Sequence, residues 1–218
     1  MLDRVTRPEQ PDLRQRILRT AWLAILLGLA LEGVAVALAL AQGGAPGIGS
    51  ILADTIQKVS WSFVVCVGLV IGTGAAREGI GMGFSGLLAA PFGFYAARAL
   101  HKAAQSALGV TAAGAGAPSP LVIVLIKGVE YGFLGAALGW FCVGKRSSAA
   151  MHAAVGMLTG IVFGGLVLYL SAVGAPAPLP LSAIVPRAAN ELLFPIGCAL
   201  VVYAARRFGE SLDLAENL

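Results

Sequence analysis

Six polar side chains stand inside apolar stretches, where such groups are costly: Glu32, Lys127, Glu130, Arg187, Asn190 and Glu191. An unpaired carboxylate at a bilayer centre costs roughly 2–3 kcal/mol or more, so each must have a partner or a wet cavity. Lys127 and Glu130 are three residues apart and share one helix face. Arg187, Asn190 and Glu191 open the last apolar stretch, and Lys58 opens the second with Trp61 and Ser62 below it. Arg98 and His101 end the third. The expectation is a mixed-charge cluster, with Glu32, Glu130 and Glu191 facing Lys127, Arg187 and either Lys58 or Arg98. Such carboxylates would bind a cation, a proton or an amine, while Lys127 and Arg187 balance them or hold an anionic group. The plainer alternative is structural ion pairs, with Lys58, Arg98 and Lys102 reaching to the headgroups.

The elements that must position these groups follow from composition. The chain is 58% hydrophobic and 12% charged over 218 residues. Soluble domains carry roughly 25% charged residues, so this chain lacks the charge to cover a water-facing surface. Its mean hydropathy is +0.85. Apolar stretches lie near residues 20–42, 56–75, 80–100, 121–143, 149–173 and 184–206. Backbone in lipid must satisfy itself, and alternating barrel strands are absent, so the expected fold is all-α with about six transmembrane helices. A basic segment, 1–19, precedes the membrane domain, 20–207, and a short acidic tail, 208–218, follows it. Pro195 frees a backbone carbonyl one turn back, near Glu191, and Pro91 marks a second kink. Broken helices beside polar groups are a frequent way to build a binding site.

Basic residues set the expected orientation. Arg4, Arg7, Arg14, Arg16, Arg19, Arg77, Lys145, Arg146, Arg206 and Arg207 all fall on one side. The positive-inside rule gives cytoplasmic N- and C-termini in a plasma or inner membrane. The polar cluster then lies in the outer half. A competing reading takes Ala39-Leu40-Ala41 as a signal-peptide cleavage site; against it, the apolar run is long and contains Glu32.

Spacing also suggests an internal repeat. Gly28, Gly86 and Gly156 follow Arg19, Arg77 and Arg146 at similar distances. Lys58, Lys127 and Arg187 are followed by Phe63, Phe133 and Phe194. Three tandem helical hairpins would pack around a pseudo-threefold axis and leave a central cavity. Glycine rows such as Gly156, Gly160 and Gly164 let helices approach closely, within the chain or against a partner membrane subunit.

Gly83-Phe84-Ser85-Gly86, with Gly93 beyond it, resembles the nucleophile helix of rhomboid proteases, and His152 lies two helices later, as that family's base does. The resemblance implies a serine intramembrane protease using Ser85 and His152. The glycine spacing after His152 departs from that pattern by one residue, and the expected orientation puts Ser85 and His152 on the opposite side. Size and helix number also resemble the substrate-binding subunits of energy-coupling-factor vitamin transporters, without a supporting motif. Cys66, Cys142 and Cys198 lie in apolar runs with no CxxC spacing, so neither a zinc site nor a disulfide framework is expected. No cofactor is implied, and scattered basic residues argue against nucleic acid. The first expectation is a small membrane transport protein or substrate-binding membrane subunit. The second is a scaffold or assembly subunit of a larger membrane complex, and the protease is third.

Overall fold

The computed structural model describes residues 13–110, 119–142, 147–175 and 180–216. Arg4, Arg7, Lys145 and Arg146 lie outside the described residues, as do most of the breaks expected at 114–120 and 174–180. The protein is a membrane protein, all-helical among the described residues, with six helices there long and apolar enough to cross a bilayer. They are α1 (Leu13–Ala41), α2 (Ile48–Ile71, with a short 3-10 turn Gly72–Gly74), α3 (Glu78–Ala107), α4 (Pro120–Phe141), α5 (Ala149–Val173) and α6 (Leu181–Glu216). Trp22, Leu125, Phe92 and Tyr169 are among many large apolar side chains left exposed. A water-soluble protein does not present so much apolar surface, and a lipid-embedded one does.

Several helices are longer than the apolar runs that announce them. α1 begins at Leu13 rather than 20, α2 at Ile48 rather than 56, and α6 runs on to Glu216 rather than ending near 206. The added residues include Arg, Gln, Leu, Ala and Glu, strong helix formers that carry a helix past the hydrocarbon until a breaker stops it. α1 and α3 stop by the same device. Gly43 and Gly109 have φ of 75° and 65°, and the next amide bonds back five residues, Gly44 to Ala39 at 2.9 Å and Val110 to Gln105 at 2.9 Å. This is the left-handed glycine cap, which a side chain at that residue would strain. Pro120 opens α4, and the Ser148 hydroxyl caps α5 by accepting from the Met151 amide.

The helices form two sets. In each hairpin the even-numbered helix is the more buried. α2, α4 and α6 meet centrally, and each outer helix packs into the groove between two inner ones: α1 between α2 and α6, α3 between α2 and α4, α5 between α4 and α6. Close approaches support the hairpins. A Cβ on Gly28 would lie 2.6 Å from the Val59 backbone, and one on Gly156 would lie 2.6 Å from Ile196. Gly86 meets the Tyr131 carbonyl in the same way. The seams are unequal: α3 is tightly held by both neighbours, whereas α5 leans on α6 and touches α4 little. The expected phenylalanine register does not hold. Phe63 and Phe133 are exposed, and only Phe194 is central. The true counterparts are Trp61, Tyr131 and Phe194, because Phe63 and Phe133 sit two residues further on and so turn to the outer face of their helices.

Candidate functional site

A cavity of about 470 Å³ opens at the end of the bundle where α1 and α3 finish and α2, α4 and α6 begin. Its walls come from α1, α2, α3, α4 and α6. Its floor is aromatic. Trp61 on α2 meets Tyr131 on α4 edge-on at 5.6 Å between centroids, and Phe194 on α6 lies 6.0 Å from Trp61 and 6.3 Å from Tyr131. One helical turn above each ring stands a polar residue: Lys58, Lys127 and Asn190. Below the floor the Cys66 and Cys198 sulfurs are 3.3 Å apart, joining α2 to α6.

The charges form two paired sets on different walls. Lys58 on α2 makes an ion pair with Glu32 on α1. Lys127 on α4 lies 2.5 Å from Glu191 on α6 and 2.8 Å from Glu130 one turn further along its own helix. Glu130 is fully buried behind the cavity wall, and neither of its carboxylate oxygens has a hydrogen bond of good geometry. Lys127 is therefore the cation that makes Glu130 tolerable in hydrocarbon. With both glutamates ionised the triad carries a formal charge of −1. Glu191 is also braced from behind. Pro195 cannot donate to the Glu191 carbonyl, and that carbonyl packs against Gly160 and Gly164, which bound a π-helical turn in α5.

Arg187 and Asn190 both line the cavity. Among the described residues Arg187 makes no hydrogen bond and no ion pair. The Asn190 Oδ1 is buried with no partner. Thus of the six residues singled out, Glu32, Lys127, Arg187, Asn190 and Glu191 share one cavity, and Glu130 sits directly behind it. Arg98 instead stacks over the Phe94 ring, 6.0 Å from its centroid.

Compared with protein-family models, curated proteins and solved structures, the chain matches none.

The cavity contains groups that sequence reasoning missed. Asp54 on α2 pairs with His101 on α3 at 3.1 Å near the mouth, and Tyr131 supplies part of the floor. Both had a weak signal: Asp54 lies one turn before Lys58, and Tyr131 one turn after Lys127. Ser85 and His152 are not brought together. The Ser85 hydroxyl donates to the Met82 carbonyl at 3.2 Å in its own helix. The His152 ring lies tilted against Tyr203, 5.1 Å between centroids, with Nδ1 2.8 Å from the Ser148 carbonyl. Among the described residues no group of three or more His, Cys, Asp or Glu could hold a metal ion.

Proposed function

We propose that the protein is a small membrane transport protein, or the substrate-binding membrane subunit of one, with its site in the cavity above the Trp61–Tyr131–Phe194 floor. One observation carries this reading: a cavity of about 470 Å³, lined by charged side chains from several helices, in a bundle otherwise packed like a membrane core. That volume suits a small organic molecule. Intramembrane charges facing a cavity mark substrate or ion pathways more often than lipid-facing anchors. The Glu130–Lys127–Glu191 triad, with one carboxylate in excess, is the natural seat for a coupling proton or cation. Glu32 and Lys58 hold the opposite wall. On the positive-inside rule, our reading is that both termini face the cytoplasm of a plasma or inner membrane, which would turn the cavity outward. Lipid surrounds the bundle, and the row Gly156, Gly160 and Gly164 is taken up by α6 within the chain.

The test is accessibility from the two sides of the membrane. In a chain stripped of its three cysteines, Asn190→Cys is exposed to a membrane-impermeant maleimide in oriented vesicles. Labelling from the outside identifies a water-filled, outward-facing cavity. Labelling from both sides marks a site that alternates. No labelling from either side means that the charges are structural ion pairs, and the scaffold reading then replaces this one.

A further inference from the structure

The cavity's polar groups are not interchangeable, and their pairing selects a ligand. Every carboxylate that lines it already has a basic neighbour: Glu32 has Lys58, Glu191 has Lys127, which it shares with the buried Glu130, and Asp54 has the imidazole of His101. Of the lining cations, Lys58 and Lys127 are committed to those pairs. Arg187 alone among the described lining residues has a charge with no counterpart. Its guanidinium is a rigid fork of donors suited to carboxylate or phosphate oxygens. Asn190, three residues further along α6, adds a buried acceptor without a donor. Beneath both lies an apolar, aromatic floor that three inner helices build together.

We propose that the ligand is an organic monoanion with a flat apolar body, its anionic group held by Arg187 and its body lying on Trp61, Tyr131 and Phe194. This rests on the transport reading above and adds the substrate class to it. An amine would compete with Lys58 and Lys127 for carboxylates they already hold, and would leave Arg187 bare. An anion gives Arg187 the local counterpart that no side chain supplies. Arg187 also borders a small apolar groove between α5 and α6, so the same chemistry could come from an anionic lipid headgroup at the bundle surface, and the experiment separates the two sources.

Trp61 is the reporter. The other two tryptophans, Trp22 and Trp140, are exposed at the bundle surface, so Trp22→Phe with Trp140→Phe leaves Trp61 as the sole indole. The full chain is placed in nanodiscs of zwitterionic lipid and titrated with phenylacetate, phenylacetamide and phenethylamine. Phenylacetate is expected to shift Trp61 emission saturably, with the amide and amine at least tenfold weaker. Arg187→Gln is expected to weaken phenylacetate at least tenfold and leave the amide unchanged, and Arg187→Lys to recover part of the loss. Arg187 lies exposed at the mouth, and size-exclusion profiles check that both variants fold. A preference for the amine overturns the substrate class, as does a Trp61 shift produced only by replacing the zwitterionic lipid with an anionic one. Acrylamide quenching keeps the two proposals apart. If it quenches Trp61 while phenylacetate does nothing, the wet cavity stands and the anion falls. If Trp61 is shielded from acrylamide as well, the transport reading falls with it.

Discussion

The two ends of the bundle use ionic groups in opposite ways. At the cavity end, Lys58 and Lys127 hold carboxylates on separate walls, and the helices stand far enough apart to leave a hollow. At the other end, Arg206 on α6 makes an ion pair with Glu78 at the start of α3 and donates to the Cys142 carbonyl at the end of α4. There glycines remove the space between helices. A Cβ on Gly139 would fall 2.5 Å from the Gly79 Cα, and Gly135 sits against the Met82 carbonyl. Charge at one end props walls apart around a space; at the other it stitches three helices over a dry seam. The contrast between a hollow end and a closely packed one tells which residues to disturb.

The largest effect is expected at the cavity end. Lys127→Met leaves the fully buried Glu130 and its neighbour Glu191 without a cation, and removing one partner of a buried pair costs about 3–5 kcal/mol. Thermal melting of the detergent-purified protein should drop sharply, and adding Glu130→Gln and Glu191→Gln should restore most of it. If Lys127→Met melts like the parent, the triad is not what holds that wall. Next comes the sealed end. Gly135→Ala should lose about 2–3 kcal/mol, because its methyl meets the Met82 carbonyl rather than a side chain that can swing away. An unchanged melting temperature would show that the seam is loose. Arg206→Ala should cost about 2 kcal/mol, since its bonds involve a charged group but remain partly solvated. In the chain stripped of its three cysteines it should also admit a maleimide to Met82→Cys from the packed end, and failure to do so would mean that Arg206 is no lock. Smallest is the mouth pair: Asp54→Asn should change stability by less than about 1 kcal/mol, because Asp54 is well exposed. A larger loss would move that pair from the rim into the core.

The same contrast separates what the sequence carries from what it hides. The six spans are legible because bilayer thickness sets a fixed length of apolar residues. The hairpin contacts are legible at Gly28, Gly86 and Gly156, because a small residue marks where a neighbouring backbone comes close. Lys127 with Glu130 is legible from a three-residue spacing. Lys127 with Glu191 is legible only as membership of one mixed-charge cluster, and Arg206 with Glu78 and Cys66 with Cys198 are not legible, because those partners come from helices distant in the chain and their meeting is decided by which helices touch. The phenylalanine register shows the same limit. Trp61, Tyr131 and Phe194 differ in type, so only the geometry of the three inner helices reveals them as equivalent.

One feature of α5 reaches beyond its own helix. The wide turn Gly160–Gly164 holds one residue more than an α-helical turn would, and each residue of an α-helix adds about 100° of rotation. Deleting Ile161, Val162 or Phe163 would close that turn to an ordinary one and leave the helix on either side in phase, with both glycines still against Glu191. Deleting a residue from the regular helix beside it, such as Leu158, has no such slack to draw on. The two parts of α5 would turn about 100° relative to one another, and a one-codon deletion in a segment with no ionisable group would be felt at the charged wall.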